Sequence, residues 1–267
     1  MIKLIASDID GTLLEEGTNT LNPEYFEVIC RLREHGVLFA AASGRQYSSI
    51  RRLFEPVRDK ILFIAENGSI VIQKEEILQQ VIMNRVFVEE LVRQLRTVPG
   101  AELTVSTRDA MYVETKDEEF YDWLLHGYRN DLIRVDDVLE KPLTVNKASL
   151  YMRSGVDAVA PALIEEWSDR FKVVVAGAVW VDFMDYRADK GIALSMLQRM
   201  LHITPEETMA FGDNGNDIGM FKSAEESYAV GNAREHVKRA AKHLADTNER
   251  HGVLQVLKNL LRDLEEM

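Results

Sequence analysis

Two aspartates, Asp8 and Asp10, stand one residue apart where an apolar segment at the start of the chain ends. The segment, residues 2–7, is rich in isoleucine, leucine and alanine and predicts a buried strand, and the sequence SDIDGTL begins at its last residue. Carboxylates crowded at the end of a buried strand repel each other unless an opposite charge neutralises them. The pattern therefore indicates a site at which negative charge takes part in chemistry.

Composition limits what that chemistry acts on. With 267 residues, of which 46% are hydrophobic, the chain can bury one large core or two moderate ones. The net charge is -12 and the sequence has no dense basic stripe, so we do not expect nucleic acid as a partner. Cys30 is the only cysteine, which excludes an intrachain disulfide and a cysteine metal cluster.

No segment of the sequence predicts a membrane partner or a secretory signal. The longest apolar runs, residues 37–42 and 173–181, are far too short to span a bilayer. The first residues reach an acidic side chain by Asp8 and have no long apolar stretch before it. We therefore expect a cytoplasmic protein.

The two ends of the chain alternate between strand and helix patterns. Strands are predicted at 2–7, 38–42 and 61–65, with a helix at 24–35 that Asn22-Pro23 begins and Gly36 ends. A hairpin pattern then covers 70–72 and 77–82, and after Lys190 the alternation returns with KGIALSMLQRML, TMAFGD, NDIGMFKSA, SYAVG and AREHVKRAAK. A strand, helix, strand unit implies a parallel sheet, so residues 1–82 and 188–267 are predicted to form one α/β domain.

The middle of the chain, residues 83–187, has a different pattern. Strand pairs are predicted at 102–106 with 111–114 and at 172–176 with 179–184, separated by helices near 87–97, 117–127 and 157–168. Antiparallel pairs with helices are typical of an α+β layer. We therefore predict that this segment is a domain inserted into the first one.

Polar clusters follow the predicted strands of the α/β domain. They are DIDGT at 8–12, SGR at 43–45, ENG at 66–68 and GDNGND at 212–217, and Lys190 opens a helix. Ligands of open parallel sheets bind outside the carboxyl ends of the strands. We therefore expect these clusters to lie together at one edge of the sheet.

The residue types in these clusters indicate phosphoryl transfer. Four carboxylates, those of Asp8, Asp10, Asp213 and Asp217, form an all-oxygen set that suits Mg²⁺. Ser43 and Gly44 precede a predicted helix, whose N-terminus attracts phosphate, and Lys190 adds positive charge. A cation, a phosphate site and a carboxylate nucleophile together predict an aspartyl-phosphate intermediate on Asp8.

These motifs resemble those of the haloacid dehalogenase superfamily of phosphohydrolases. DIDGTL corresponds to the first motif of that family, Ser43 to the second, Lys190 to the third and GDNGND to the fourth, in the same order. The inserted α+β segment resembles the large C2-type cap of its Cof-type members, subfamily IIB. The resemblance covers nearly the whole chain and implies an α/β fold, with a Rossmann-like parallel-sheet core and an inserted cap.

The resemblance also implies individual functions. Asp8 would be the nucleophile and Asp10 the general acid and base, with Lys190 as a further catalytic residue. Mg²⁺ would be bound by the Asp8 carboxylate, the Asp10 main-chain carbonyl and Asp213. Asp217 would not contact the metal but would support these ligands. The phosphate would be contacted by Ser43, Gly44, Lys190 and Asn216.

We therefore expect a Mg²⁺-dependent phosphatase of small phosphorylated metabolites such as sugar phosphates, acting as a monomer or a weak homo-oligomer. Two alternatives stay open at this point. Phosphomutases of the same superfamily share this fold and cap type, and a non-catalytic domain that binds metal or nucleotide would carry some of the same residues. The cap is expected to close over the cleft and contact the leaving group, with Arg153, Trp180 and Asp182 as candidate residues.

Overall fold

The computed structural model describes residues 1–15 and 18–266. The chain divides into two compact units, the first formed by Met1–Gln79 with Asp189–Met267 and the second by Gln80–Ala188. Among the residues described, no helix is both long enough and apolar enough to cross a membrane. The α/β fold class predicted from the sequence is confirmed.

The first unit is built on an eight-stranded sheet in the part of the chain that the structure describes, with the order β14-β13-β12-β1-β2-β3-β4-β5. The pairs from β14 to β3 are parallel, and β3 pairs antiparallel with β4. The strands are β1 (Leu4–Asp8), β2 (Leu38–Ala42), β3 (Leu62–Ala65), β4 (Ile70–Gln73), β5 (Glu76–Gln80), β12 (Thr208–Gly212), β13 (Glu226–Ala229) and β14 (His243–Leu244).

Helices cover this sheet and bury its apolar side chains in one hydrophobic core. The first helix begins after Pro23, where Asn22 Oδ1 accepts the N–H of Glu24 at 3.0 Å, and the chain leaves it through Gly36, which has a φ of 81°. The helices of this unit are α1 (Glu24–Glu34), α2 (Tyr47–Leu53), α6 (Lys190–Leu201), α7 (Ile218–Lys222), α8 (Glu235–Lys238) and α9 (Gly252–Glu265).

The second unit contains a six-stranded sheet in the order β10-β11-β9-β6-β7-β8, counted over the described residues. The sheet is antiparallel except for the pair of β7 with β8. One face packs against α3 and α5 around Val105, Leu150 and Phe183. The strands and helices are α3 (Arg85–Leu95), β6 (Glu102–Ser106), β7 (Met111–Val113), α4 (Glu118–Asp122), β8 (Leu132–Arg134), β9 (Lys147–Tyr151), α5 (Ala160–Trp167), β10 (Lys172–Ala176) and β11 (Trp180–Met184).

Some elements differ from the sequence predictions. The helix predicted at 117–127 consists of α4 followed by a turn of π-helix, Trp123–Gly127. The helix predicted from AREHVKRAAK is only α8, because Arg234 is still extended and the chain turns again after Lys238. The sequence analysis did not predict β8, β9 or the long C-terminal helix α9.

Candidate active site

The centre of the site is a buried lysine between two buried aspartates. Asp8 is the last residue of β1, and Lys190 is the first residue of α6, which begins where Asp189 Oδ1 accepts the N–H groups of Gly191 and Ile192. Lys190 Nζ donates to Asp8 Oδ1 at 2.5 Å and to Asp217 Oδ1 at 2.7 Å. The lysine therefore joins the central strand to the loop after β12.

Asp217 holds that loop in place. It is fully buried, and its Oδ2 accepts the main-chain N–H groups of Asp213 and Asn214, both at 3.0 Å. Its other oxygen is occupied by Lys190. Asp217 thus fixes the positions of Asp213 and Lys190, and its predicted support of metal ligands stays a prediction.

Asp213 lies beside the turn that follows Asp8. Thr12 Oγ1 donates to Asp213 Oδ1 at 3.1 Å. A Cβ atom at Gly11, where φ is 81°, would lie 2.6 Å from Asp213 Oδ2. A side chain at position 11 would therefore both strain the backbone and displace this carboxylate.

The carboxylates raise one another's proton affinity. Burial raises the pKa of Asp8 well above its ordinary value, and the charge of Asp217 adds to this rise while Lys190 opposes it. Burial and the charge of Asp217 raise the pKa of Asp213 to about 6. Burial by itself would lower the pKa of Lys190, but the charges of Asp217 and Asp8 raise it above the ordinary value, so this lysine stays charged.

The same carboxylates fit a divalent cation. Oxygens of Asp8, Asp213 and Asp217 lie within 4.8 Å of one another. Asp8 Oδ2 is buried and has no hydrogen-bond partner among the described residues. A cation beside these carboxylates would supply positive charge that Lys190 alone does not supply to Asp8 and Asp213, and an all-oxygen set suits a hard cation.

Asp10 is only two residues from Asp8 but has different surroundings. Its carboxylate accepts two hydrogen bonds from Arg45, from Nε at 2.8 Å and from Nη2 at 2.5 Å. Its side chain is 38% exposed. The side chain of Asp10 is therefore outside the group formed by Asp8, Asp213 and Asp217 and is held by an arginine instead.

The predicted phosphate-binding residues lie at the ends of neighbouring strands. Ser43 follows β2, and its Oγ accepts the N–H of Arg45 at 3.1 Å, so its own proton can be donated elsewhere. At Gly44 a Cβ atom would lie 3.2 Å from the amide of Asn67. The same amide accepts a hydrogen bond from Asn216 Nδ2 at 3.0 Å, which joins the ENG and GDNGND clusters.

The structure adds residues that the sequence analysis left out. Arg45 was noted only as part of SGR, yet it binds Asp10, and Thr12 binds Asp213. Asn232 Nδ2 donates to the carbonyl of Gly11 at 2.7 Å, and Asn248 Nδ2 donates to that of Leu14 at 3.0 Å. Arg45 and Thr12 lie within quoted motifs and could have been found there, whereas Asn232 and Asn248 have no local sequence pattern that marks them.

The second unit carries a cluster of buried polar side chains on one face of its sheet. Cross-strand register places Thr104, Ser149 and Asp182 in one row and Ser106 and Lys147 in the next. We call these five residues the polar face. The opposite face of the same strands carries the apolar core.

Hydrogen bonding within the polar face is incomplete. Ser149 Oγ donates to Asp182 Oδ1 at 2.6 Å, and Lys147 Nζ lies 3.6 Å from Asp182 Oδ2. The hydroxyl groups of Thr104 and Ser106 are buried and have no partner among the described residues. Buried hydroxyl groups of this kind are uncommon because an unmade hydrogen bond costs free energy.

The other two cap candidates have structural surroundings of their own. Arg153 forms ion pairs with Asp117 and Glu119 and is half-exposed. Trp180 packs in an aromatic cluster with Trp123 and Tyr151. Of the three candidates, only Asp182 belongs to the polar face.

The chain is similar to known proteins over nearly its whole length. Residues 5–257 match the family model of the haloacid dehalogenase-like hydrolases. The chain is 29% identical over 268 residues to the 5-amino-6-(5-phospho-D-ribitylamino)uracil phosphatase YbjI of Escherichia coli, covering 98% of this chain and 97% of that one. It is 28% identical over 263 residues to YcsE of Bacillus subtilis, which has the same enzyme name, with 97% and 95% covered. A crystal structure from Eubacterium rectale superposes with a TM-score of 0.88 at 35% identity, covering 97% of this chain and 99% of the other.

The carboxylate group predicts that cation binding depends on pH. We expect Mg²⁺ to raise the melting temperature at about pH 8 and to lose most of this effect at about pH 5, since protons and cation compete for Asp8 and Asp213. Because the pKa of Asp213 is about 6, affinity should fall roughly tenfold per pH unit below that value. Differential scanning calorimetry with and without Mg²⁺ across this range measures the effect.

The variant Asp213→Asn isolates the contribution of this carboxyl. The pKa of Asp213 in the folded chain, about 6, lies above the ordinary value of an aspartate. Asp213 therefore stabilises the metal-free fold least above about pH 6. It stabilises the fold progressively more as the pH falls toward that ordinary pKa. The free energy of unfolding of the parent, minus that of Asp213→Asn, should therefore decrease as the pH rises. An equal response of parent and variant to Mg²⁺ and pH would contradict this assignment.

The buried lysine predicts a large loss of stability on its removal. Lys190→Met leaves Asp8 and Asp217 without their shared positive charge, which should lower the free energy of unfolding by about 3–5 kcal/mol. The loss should shrink as the pH falls, because Asp8, whose pKa burial raises, then becomes protonated. Urea unfolding measures both effects, with the exposed Lys222→Met as the matched control. A loss below about 1 kcal/mol would show that Lys190 is not the main counter-charge.

Proposed function

The chain belongs to the haloacid dehalogenase-like hydrolase family and is a phosphatase of small phosphorylated substrates, and we propose that it acts through an aspartyl-phosphate formed on Asp8 with the help of Mg²⁺. The observation that carries this proposal is the state of the Asp8 carboxylate. Lys190 fixes one oxygen, while the other has no donor among the described residues. A nucleophile needs this combination, in which one oxygen is oriented and the other is available to attack.

The reaction has two steps at phosphorus. In the first, Asp8 Oδ2 forms a bond to phosphorus, the bond to the leaving oxygen breaks, and Asp10 gives that oxygen its proton. In the second, Asp10 takes a proton from water, the water oxygen forms a bond to phosphorus, and the bond to Asp8 breaks. Inorganic phosphate leaves and both aspartates return to their starting states.

Two carboxylates of the metal site that we propose, those of Asp8 and Asp213, lie close together. The Asp8 carboxylate, the Asp10 main-chain carbonyl and Asp213 would bind Mg²⁺, while Asp217 would hold Asp213 and Lys190. When bound, Mg²⁺ lowers the repulsion between the carboxylates and an anionic phosphate. The raised pKa values of Asp8 and Asp213 support this proposal, because burial and the neighbouring charge of Asp217 disfavour their charged forms, which a cation would stabilise.

The proposed phosphate contacts come from the ends of two strands, β2 and β12, and from the start of helix α6. Ser43 has a hydroxyl proton to donate, since its oxygen already accepts the N–H of Arg45. Gly44, Lys190 and Asn216 would complete the set. The contact between Asn67 and Asn216 supports this grouping, because it ties the ENG cluster to the fourth motif.

We further propose that the polar face of the second unit contacts the part of the substrate beyond the phosphate. Two buried hydroxyl groups without partners, those of Thr104 and Ser106, support this proposal. Lys147 and Asp182 beside them offer a donor and an acceptor. The relatives YbjI and YcsE are named for a phosphorylated ribityl compound, and a ribityl chain carries several hydroxyl groups. We therefore propose small phosphomonoesters with a hydroxyl-bearing leaving group as the substrate class.

The first experiment separates the two aspartates of the opening motif. Asp8→Asn should abolish turnover of every substrate, because an amide is a poor nucleophile. Asp10→Asn should slow alkyl phosphates in both steps, by about 10² to 10⁴ for each proton transfer, but should slow aryl phosphates mainly in the second step. Rapid mixing of Asp10→Asn with para-nitrophenyl phosphate should then give a burst near one equivalent of nitrophenol, and acid-quenched protein should carry phosphate on Asp8.

Two results would contradict this mechanism. If Asp8→Asn still turns over, or if Asp10→Asn hydrolyses aryl and alkyl phosphates at the parental rate, the assigned functions are wrong. Release of free phosphate, measured beside isomerised sugar phosphate, distinguishes the phosphatase from a mutase, since a mutase passes the phosphoryl group to a substrate hydroxyl instead of water.

The second experiment tests the polar face. Thr104→Val and Ser106→Ala remove hydroxyl groups but keep most of the side-chain volume. They should lower kcat/KM for hydroxyl-bearing alkyl phosphates by about tenfold or more. The rate with para-nitrophenyl phosphate should stay within about twofold of the parent, because that leaving group makes no such hydrogen bond. Thr97→Val is the matched control, since the Thr97 hydroxyl donates to the carbonyl of Gln94 at 2.7 Å. Equal losses on both substrate types would count against this function of the polar face.

A further inference from the structure

Arg45 is the nearest neighbour of the Asp10 carboxylate that the mechanism above does not use. Its Nε and Nη2 donate to the two oxygens of Asp10 at 2.8 and 2.5 Å, so the guanidinium and the carboxylate form a two-point pair. The arginine side chain is only 9% exposed, whereas that of Asp10 is 38% exposed. A two-point pair fixes the plane of a carboxylate as well as its position, because both oxygens are held at once.

Arg45 is itself held on several sides. Its Nη1 donates to Asn19 Oδ1 at 2.7 Å, and its main-chain N–H donates to Ser43 Oγ at 3.1 Å. Its carbonyl accepts the N–H of Glu66 at 3.0 Å. Asp10 and Asn19 therefore orient the guanidinium before any substrate binds. Ser43 and Glu66 hold the main chain of Arg45.

The hydrogen bonds of Arg45 argue against its use as a phosphate ligand. Each of its three guanidinium nitrogens already donates to an acceptor, two of them to Asp10 and one to Asn19. Binding a phosphate with the same two-point geometry would require the pair with Asp10 to break. The buried charge that faces Asp8 comes from Lys190 instead.

We propose that Arg45 is a positioning residue that holds the Asp10 carboxyl in the orientation needed for proton transfer to the leaving oxygen and from water. The inference rests on the proposed function of Asp10. Because the Asp10 side chain is partly exposed, it could adopt other rotamers if the arginine were removed. Proton transfer depends on the alignment of donor and acceptor, so a loss of orientation lowers the rate even when Asp10 is intact.

A double-mutant cycle tests this inference. Arg45→Met should lower kcat for an alkyl phosphate such as glycerol phosphate by about 10- to 100-fold while KM changes by less than about threefold. In the Asp10→Asn background the same substitution should change kcat by less than about twofold, because the group that it positions is already absent. Arg58→Met is the matched control, since Arg58 forms an exposed pair with Glu55.

Further variants keep the test decisive if Arg45→Met unfolds. Arg45→Lys keeps the positive charge but has a single donor group instead of a fork, so it should restore stability without restoring kcat. Asn19→Ala removes one support of the guanidinium and should give a smaller loss with the same dependence on Asp10. Thermal unfolding of each variant separates a loss of fold from a loss of rate.

The outcomes distinguish this inference from the proposed mechanism. Equal losses from Arg45→Met or Arg45→Lys in the parent and in Asp10→Asn would overturn the inference, and so would an effect confined to KM, which would assign Arg45 to substrate binding. Asp8→Asn could be inactive and Asp10→Asn could accumulate phosphoenzyme, while substitution of Arg45 lowers kcat equally in the parent and in Asp10→Asn. In that case only the inference about Arg45 fails. Turnover by Asp8→Asn would instead overturn the mechanism on which it rests.

Discussion

The buried ion pairs of Lys190 are the interaction on which the site depends. Asp8 ends strand β1 and Asp217 lies in the loop after the neighbouring strand β12, and their charges would repel in a buried space without the lysine between them. Burial and the charge of Asp217 raise the pKa values of Asp8 and Asp213, and Lys190 opposes this rise only in part. The protein therefore builds a site that is stable enough to fold and still has an unsatisfied affinity for positive charge, which is what a divalent cation or a proton would supply.

Close backbone packing makes this crowding of side chains geometrically feasible. Gly11 allows the turn after β1 to pass beside Asp213, because any Cβ there would collide with the carboxylate. Gly212 does the same at the end of β12, where a Cβ would lie 2.4 Å from the Cβ of Asp217. Both glycines lie inside the motifs that carry the aspartates, so the spacing of those motifs reflects backbone packing as well as chemistry.

Strand ends were the part of this structure that sequence could predict best. Asp8, Ser43 and the GDNGND cluster follow apolar segments whose length and composition indicate buried parallel strands, and ligand sites lie at the carboxyl ends of such strands. Strand β9 was missed because its alternation is between Lys147 or Ser149 and the small apolar residues Ala148 and Leu150, which is a weak strand pattern by itself. The contribution of β9 to the polar face can be recognised only when the strand register places Ser149 between Thr104 and Asp182. Sequence alone does not give that register.

The difference between Asp8 and Asp10 could not be predicted from their spacing, since residues two apart on a strand point to the same side. The chain leaves β1 at Ile9, whose carbonyl accepts the N–H groups of Thr12, Leu13 and Leu14 and so closes a tight turn. This turn separates the environments of the two carboxyls, with Asp8 buried beside Lys190 and Asp10 partly exposed beside Arg45. The nucleophile and the proton carrier that we propose need different surroundings, because one must stay oriented and the other must reach water, and one turn of backbone supplies both environments within three residues of sequence.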